Sequence, residues 1–143
     1  MATKYLSVDT STGAEAWVDI APTPSAPLVL PAYEALAAGD LVSIYVDGST
    51  TKVRKAVAGA SPYQAHGFVL LPVVNPGDNA TVYQSGLNTA VVASLTPGVD
   101  YFLSATGGTS RATTADPNFT QYVGYATAVH TLNFIPSQGV AVV

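Results

Sequence analysis

The sequence predicts an all-β fold, a small β-barrel or sandwich, with an extended Pro-rich arm at the N-terminus. Ten prolines and twelve glycines are spread along the 143 residues, and apart from a short turn at 33–38 they leave no window for a helix. Between them lie short runs rich in valine, tyrosine, threonine and phenylalanine, which are typical of strands. Strand and turn signals alternate about every 8–12 residues, the spacing of small barrels and sandwiches.

The first 31 residues differ from the rest of the chain. They are rich in proline and hold two short apolar clusters, Tyr5, Leu6 and Val8, and Trp17, Val18 and Ile20. Proline-rich segments favour extended chain, so we interpret residues 1–31 as an arm and residues 32–143 as the compact body. Three arrangements of the arm stay open: packing on its own body, wrapping around or exchanging with another chain, and disorder.

The clearest local signal in the body is a hairpin. Residues 41–46 and 51–57 have strand composition and flank an Asp-Gly pair at 47–48, which favours a tight turn. The first of these strands alternates in hydrophobicity, so one of its faces is buried. On the second strand, Lys52 and Arg54 lie together on the outer face.

Further strands follow along the chain, and their spacing completes the all-β prediction. Residues 67–74 are apolar on both faces, which predicts a central or covered strand, although Pro72 indicates an edge or a bulge. The other predicted strands are 80–84, 87–93, 100–104, 109–114, 121–129, 131–135 and an edge strand at 139–143. The alternation after Tyr122 predicts that Gly124, Ala126 and Ala128 are exposed on one face, where they would permit close approach of another chain.

Composition and charge exclude several classes of protein. Charged residues are only 10% of the chain, against about 25% in average soluble domains, which suits a subunit largely covered by neighbours. The net charge is −4 with only five basic residues, too few for a nucleic-acid binder. No apolar run approaches the ~18 residues of a membrane span, and the first residues lack the apolar core of a secretory signal. Cysteine is absent, so disulfides and thiolate metal sites are excluded.

No constellation of residues indicates catalysis. The two histidines, His66 and His130, are far apart in sequence and have no nearby carboxylate that would make a metal site. The nine acidic residues are isolated from one another, and Asp47, Asp78 and Asp116 stand beside glycine or proline, where aspartate caps turns. Nucleophile and phosphate-binding motifs are missing. We therefore predict a protein that is not an enzyme and that uses no cofactor and no metal.

Two features indicate a role in binding. Lys52, Arg54 and Lys55 are three of the five basic residues, and they form either an ordinary solvated face that guards an edge strand or a contact with an acidic neighbour. Eight tyrosines and one tryptophan are spread over the chain. Core packing is the default interpretation of most of them, while interfaces and carbohydrate platforms are also rich in such side chains.

Several phrases of the sequence occur together in a familiar order. They are AGDLV at 38–42, KVRKA at 52–56, AHGFV at 65–69, ATVY at 80–83 with Gly86, LTPGVDYFLS at 95–104 and QYVGYA at 121–126. This succession, which covers about residues 36–135, resembles small structural proteins of tailed bacteriophages, above all capsid decoration (cement, or head-stabilising) proteins. The LxPGxxYFLS phrase also resembles segments of phage tail and fibre proteins.

The resemblance implies a viral structural protein of the capsid exterior, made in the cytoplasm of the bacterial host. It implies a β-rich body, frequently a homotrimer, that bridges neighbouring major capsid protein subunits and has no catalytic residues. On this view the candidate interface residues are Tyr5, Leu6, Val8, Trp17, Val18 and Ile20 of the arm, with Lys52 and Arg54 as orienting contacts. The alternative is a receptor-binding module of a tail fibre or baseplate.

Overall fold

The computed structural model of the chain describes residues 3–8, 15–20, 26–105, 108–110 and 119–141, and the fold is all-β, as predicted. No helix occurs among these residues. The strands are β1 (Thr3–Val8), β2 (Glu15–Ile20), β3 (Leu28–Pro31), β4 (Leu41–Asp47), β5 (Thr50–Lys55), β6 (Gly67–Val69), β7 (Asn79–Tyr83), β8 (Gly86–Asn88), β9 (Asp100–Leu103), β10 (Thr109–Ser110), β11 (Phe119–Thr120), β12 (Tyr122–Ala128), β13 (Thr131–Phe134) and β14 (Val140–Ala141).

Two antiparallel sheets of five strands form the body. The first sheet has the strand order β3-β7-β6-β4-β5, and the second has the order β10-β9-β12-β13-β8. Strands β11 and β14 form a separate two-stranded pair. Neither large sheet closes on itself as a barrel, so of the two predicted architectures the structure has the two-sheet form.

Both sheets contribute to the core between them. Phe68 of the first sheet and Phe134 of the second are fully buried, and their rings meet edge to face with centroids 5.5 Å apart. Around them pack apolar residues from both sheets, such as Leu41, Leu103 and Leu132. Burying each of these large side chains contributes about 1.5–3 kcal/mol, so this core is what holds the two sheets together.

One polar side chain ties two loops across this core. Gln121 is 1% exposed, and its Oε1 accepts a hydrogen bond of 2.8 Å from the backbone N–H of Ala65. Its Nε2 donates to the carbonyls of Ala65 and Ser137, both at 2.9 Å. The amide is therefore hydrogen-bonded on both sides, as burial requires.

The first sheet is buried on both faces because it is curled. Val53 of β5, at one edge, forms a parallel bridge with Ala32, which directly follows β3 at the other edge. The N–H of Tyr33 donates to the carbonyl of Val53 at 2.8 Å. The curl encloses a second apolar cluster, to which Ala32, Leu36, Val42, Val53, Val69, Val73, Ala80 and Val82 belong.

Several of these strands were predicted correctly from local features of the sequence. The hairpin of β4 and β5 is confirmed, and β6 is a central strand whose three residues are all buried. That strand ends at Val69, so Pro72 lies outside it. Strand β8 is shorter than predicted because Asn88 is buried and bends the chain: its Oδ1 accepts from the N–H of Ala90 at 3.2 Å, while its Nδ2 donates to the carbonyl of Gly39 at 3.0 Å.

The N-terminal 31 residues contain three of the strands. Strands β1 and β2 pair with each other in an antiparallel hairpin, where the sequence predicts extended chain. Strand β3 pairs along its length with β7 and so belongs to the first sheet of the body. The division of the chain into an arm and a body at residue 31 otherwise stays a prediction.

Candidate interaction surfaces

The end of the β4–β5 hairpin carries a cluster of three tyrosines and an arginine, which we call the arginine–tyrosine cluster (Tyr33, Tyr45, Arg54 and Tyr63). In the antiparallel register Ser43 is opposite Arg54 and Tyr45 is opposite Lys52, so these side chains share one face. The guanidinium carbon of Arg54 lies 4.1 Å from the ring centroid of Tyr45 and 3.4 Å from that of Tyr63. Arg54 is therefore stacked between two aromatic rings.

Long-range backbone contacts bring the other two tyrosines to this cluster. The loop after β5 folds back, because Val57 and Tyr63 form a bridge with two hydrogen bonds of 3.0 and 2.9 Å. Tyr33 reaches the cluster from the curled edge of the first sheet, and its ring meets that of Tyr45 edge to face at 6.0 Å. The cluster thus joins three separate segments of the chain.

The two predicted orienting cations differ in their surroundings. Lys52 Nζ forms a 2.8 Å ion pair with Asp47 Oδ2 at the hairpin turn. This hydrogen bond raises the pKa of Lys52, and the charge of Lys52 is therefore compensated within the hairpin. Loss of solvent raises the pKa of Tyr45, and the nearby Asp47 adds to the effect. Arg54 has no carboxylate partner in the part of the chain that the structure describes, and its Nε is buried without a hydrogen-bond acceptor.

His66 supports the strand beneath this cluster. Its Nδ1 lies 2.9 Å from the backbone nitrogen of Ile44 and accepts that hydrogen bond, so the neutral ring carries its proton on Nε2. Partial burial lowers the pKa of His66, because the charged ring would lose solvent. His130 has the opposite arrangement: its Nδ1 lies 3.1 Å from the carbonyl of Val91, to which it donates. The two histidines serve different parts of the fold.

The outer surface of the second sheet carries a second aromatic group, which we call the tyrosine face (Asp100, Phe102, Tyr122, Tyr125 and Asn133). Tyr122 is paired with Phe102 across the strands, and their rings meet edge to face at 5.7 Å. The hydroxyl of Tyr122 donates to Asp100 Oδ1 at 3.2 Å, and Asn133 Nδ2 donates to the hydroxyl of Tyr125 at 3.0 Å. Desolvation raises the pKa of Tyr122, and the hydrogen bond to Asp100 adds to it.

A β-bulge explains why Tyr122 and Tyr125, three residues apart, are on the same face. Tyr122 pairs with Phe102, but Gly124 pairs with Tyr101, so β12 has one extra residue. Gly124 has a φ of +138°, and a Cβ there would lie 2.0 Å from the carbonyl oxygen of Asn133. Only glycine fits this position.

The same bulge overturns the prediction for the small residues of this strand. Gly124 and Ala126 face the core instead of solvent, and only Ala128 of the three is exposed. The sequence prediction assumed regular alternation from Tyr122 onward. The residue inserted before Gly124 moves the side chains that follow it to the other face, and a second irregularity between Ala126 and Ala128, in the pairing with β13, ends this shift.

The six arm residues predicted to form an interface all lie in the β1–β2 hairpin. The register places Leu6 opposite Trp17, Tyr5 opposite Val18 and Thr3 opposite Ile20. Val8, at the end of β1, is opposite Glu15. Whether these residues contact a partner stays a prediction, as it does for Lys52 and Arg54.

A cavity of about 100 Å³ lies between the start of β4 and the segment after β8, with Asp40, Asn88 and Thr109 in its lining. Nowhere in the described ranges do three or more histidine or acidic side chains come close enough to hold a metal ion. Within the same ranges, no helix has the length and hydropathy needed to span a bilayer.

Comparison of the chain with protein-family models, with characterised proteins and with solved structures finds no match. The two surfaces must therefore be interpreted from their own geometry. Sequence reasoning identified Arg54 and Lys52 as candidates but missed the role of Tyr63. The sequence has no local signal for the position of Tyr63. It does have one for Tyr45, because the register of the hairpin places Tyr45 opposite Lys52.

Proposed function

We propose that this chain is a viral structural protein that decorates and stabilises a bacteriophage capsid by bridging major capsid protein subunits. Its partners are the major capsid protein and further copies of itself, in a homotrimer. The resemblance of residues 36–135 to capsid decoration proteins supports the proposal, as does the low content of charged residues, which suits a surface covered by neighbours.

The observation that carries the proposal is the pairing of the arm strands. Strands β1 and β2 pair with each other, and among the described strands neither joins one of the body's two sheets. The register gathers the apolar residues of the arm, Leu6 opposite Trp17 and Tyr5 opposite Val18, into one two-stranded unit. A unit of this kind is suited to bury apolar side chains on an adjacent capsid subunit.

The mechanism is stabilisation by binding. A protein that binds the assembled shell but not free subunits shifts the equilibrium toward the shell by mass action. Many copies act at once on one particle, so sites of modest affinity resist the outward pressure of packaged DNA together. No covalent step is required.

The experiment measures occupancy on particles stripped of this protein. We expect the full-length double variant Leu6→Asp, Trp17→Asp to bind at least about tenfold less than wild type, because charged side chains at the proposed contact with the shell would have to be desolvated. The double variant Val74→Asp, Val92→Asp is the matched control, since Val74 and Val92 are 74% and 82% exposed on the body and the two substitutions add the same two charges.

Deletion of residues 1–20 tests the same point without new charges. We expect the truncated protein to lose shell binding while its circular dichroism spectrum stays that of a β protein. Wild-type occupancy by either arm variant would contradict the proposal.

A second candidate function is a receptor-binding module of a tail fibre or baseplate. The tyrosine face favours it, because exposed Tyr125 lies beside Asn133 and Asp100, and carbohydrate sites combine aromatic rings with such polar groups. The number of copies per particle separates the two candidates, since hundreds indicate the shell and a handful indicate the tail. A glycan array provides the direct test of sugar binding.

A further inference from the structure

We propose that Arg54, held between Tyr45 and Tyr63, is a binding site for a carboxylate of a protein partner, an aspartate or glutamate side chain. This site would contribute to the proposed decorating function, and it rests on that function only for the identity of the partner. It separates two residues, Lys52 and Arg54, that the sequence alone treats as equivalent.

Stacking fixes the orientation of the guanidinium. With one ring centroid at 4.1 Å and the other at 3.4 Å, both faces of the group are covered. Only its edge is left for hydrogen bonding, and a planar edge with parallel N–H donors matches a carboxylate in bidentate geometry. The rings also hold the side chain in place before a ligand arrives, which lowers the entropic cost of binding.

Arg54 lacks an acceptor in the free protein. Its Nε is buried and unpaired, whereas its two terminal nitrogens are accessible to solvent and contact no acceptor among the residues that the structure describes. A carboxylate bound to the terminal nitrogens supplies the compensating charge that the described residues lack, while the buried Nε stays unpaired and keeps the terminal nitrogens as the open side of the group.

The acid nearest along the hairpin does not provide this charge. Asp47 pairs with Lys52 at 2.8 Å, so the positive charges on this face exceed the negative by one. Because the chain as a whole has a net charge of −4, this is a local positive site on an acidic protein. A single uncompensated cation recognises one carboxylate, whereas a nucleic acid needs several cations and is repelled by the remaining acidic residues.

The flanking rings add a preference for a side chain over a free ion. Tyr45 and Tyr63 are partly exposed beside the guanidinium, and their edges offer apolar contact to the methylene groups of a glutamate and its neighbours. We therefore expect a short peptide with a glutamate between two leucines to bind better than acetate or inorganic phosphate.

The test is a titration of the full-length, isotopically labelled protein, followed by NMR at the amides of residues 44–46, 53–55 and 62–64. The probe is the peptide acetyl-Leu-Glu-Leu-amide, for which a single charge-assisted contact gives a dissociation constant of about 1–10 mM. The matched control peptide has glutamine in place of glutamate and is expected to bind at least about tenfold more weakly.

Three variants locate the site. Arg54→Met keeps the apolar contact with both rings and is expected to abolish binding of the glutamate peptide. Arg54→Lys keeps the charge but not the planar edge, and we expect about five- to tenfold weaker binding. The double variant Asp47→Asn, Lys52→Met removes the ion pair between these two residues without changing the net charge of the face, and it is expected to change the dissociation constant less than about twofold, because Lys52 and Asp47 compensate each other. Retained NMR dispersion in each variant shows that the protein is folded.

Several results would overturn the proposal: equal binding of the glutamine peptide, unchanged binding in Arg54→Met, or tighter binding of inorganic phosphate than of the glutamate peptide. Particle occupancy distinguishes it from the proposed function. If the glutamate peptide binds through Arg54 but the intact protein does not bind capsids, the carboxylate site stands and the decorating role fails. If capsids bind the protein while Arg54→Met leaves peptide binding unchanged, the reverse holds.

Discussion

The arginine–tyrosine cluster and the tyrosine face each bring three aromatic rings to the surface of one sheet, but they differ in what their polar atoms contact. On the tyrosine face, Tyr122 donates to Asp100 and Asn133 donates to Tyr125, so its polar groups satisfy one another. In the cluster, the guanidinium of Arg54 is stacked but lacks an acceptor. Exposed aromatic residues alone therefore do not mark a binding surface, and an uncompensated charge beside them is the more specific sign.

The two surfaces also differ in how the backbone forms them. The cluster depends on a regular hairpin and on a loop that returns across it. The tyrosine face depends on a single irregularity, the bulge at Gly124, a position where no residue other than glycine fits. This difference predicts unequal sensitivity to substitution.

The largest effect is expected from Gly124→Ala. The added Cβ would lie 2.0 Å from the carbonyl oxygen of Asn133 and would force a φ of +138° on alanine, so the bulge must break. We expect the free energy of unfolding to fall by about 3 kcal/mol or more, measured by urea denaturation.

Gly48→Ala is the matched control for this substitution, in the hairpin turn of the cluster. Its φ is +65°, and a Cβ there meets nothing within 4 Å, so a loss of only about 1 kcal/mol is expected. Equal losses in the two variants would show that the bulge is not the special element of the tyrosine face.

A smaller effect is expected from acid, through His66. The pKa of His66 is lower in the folded protein than in the unfolded chain, so the unfolded chain binds more protons as the pH falls. The stability that the neutral ring provides is complete above about pH 6.5 and is lost as the pH drops through the lower, folded value. Its size is that of one backbone hydrogen bond, about 1 kcal/mol at most.

The measurement compares the free energy of unfolding at pH 8 and pH 5 for wild type and His66→Gln, since glutamine does not titrate. We expect the pH dependence to be smaller in this variant than in wild type. The same slope in wild type and His66→Gln would show that the contact with Ile44 is not pH-sensitive.

The smallest effects on stability are expected from one substitution on each of the two surfaces, and they compare these surfaces directly. Tyr122→Phe removes the hydrogen bond to Asp100 and is expected to cost about 0.5–1 kcal/mol. Arg54→Met removes a cation–π contact but also an unpaired buried donor, and these opposing terms leave stability within about 0.5 kcal/mol of wild type. Thermal unfolding of both variants checks this order. A larger loss in Arg54→Met would mean that Arg54 serves the fold and not a ligand.

The sequence predicted those parts of the molecule that depend on neighbouring residues. The β4–β5 hairpin follows from local signals, the turn glycine and the composition of the strands, but its turn consists of Gly48 and Ser49, because Asp47 still pairs with Thr50. The pairing of β3 with β7 could not be predicted from the sequence. Leu28 and Val82 are far apart along the chain, and neither segment has a feature that identifies the other as its partner. The curl of the first sheet depends on the same kind of contact, between Ala32 and Val53.

The candidate site was predictable in part for the same reason. Lys52 and Arg54 stand out as basic residues on one strand, and the register places Tyr45 beside them. Tyr63 comes from a loop whose return is set by its bridge to Val57, which periodicity does not reveal. The side of β12 that faces solvent was missed because a bulge shifts the alternation and only the pairing with β9 shows it.

The two edge strands of the curled first sheet lie close to each other, and this affects how the protein behaves at high concentration. A long, open strand border exposes rows of unpaired amides and carbonyls, and such rows recruit other chains into fibrils. Here β3 and β5, the edge strands of the first sheet, turn toward each other at Ala32 and Val53. The first sheet therefore presents little open strand edge to other chains, and we expect it to contribute little to fibril formation at high protein concentration.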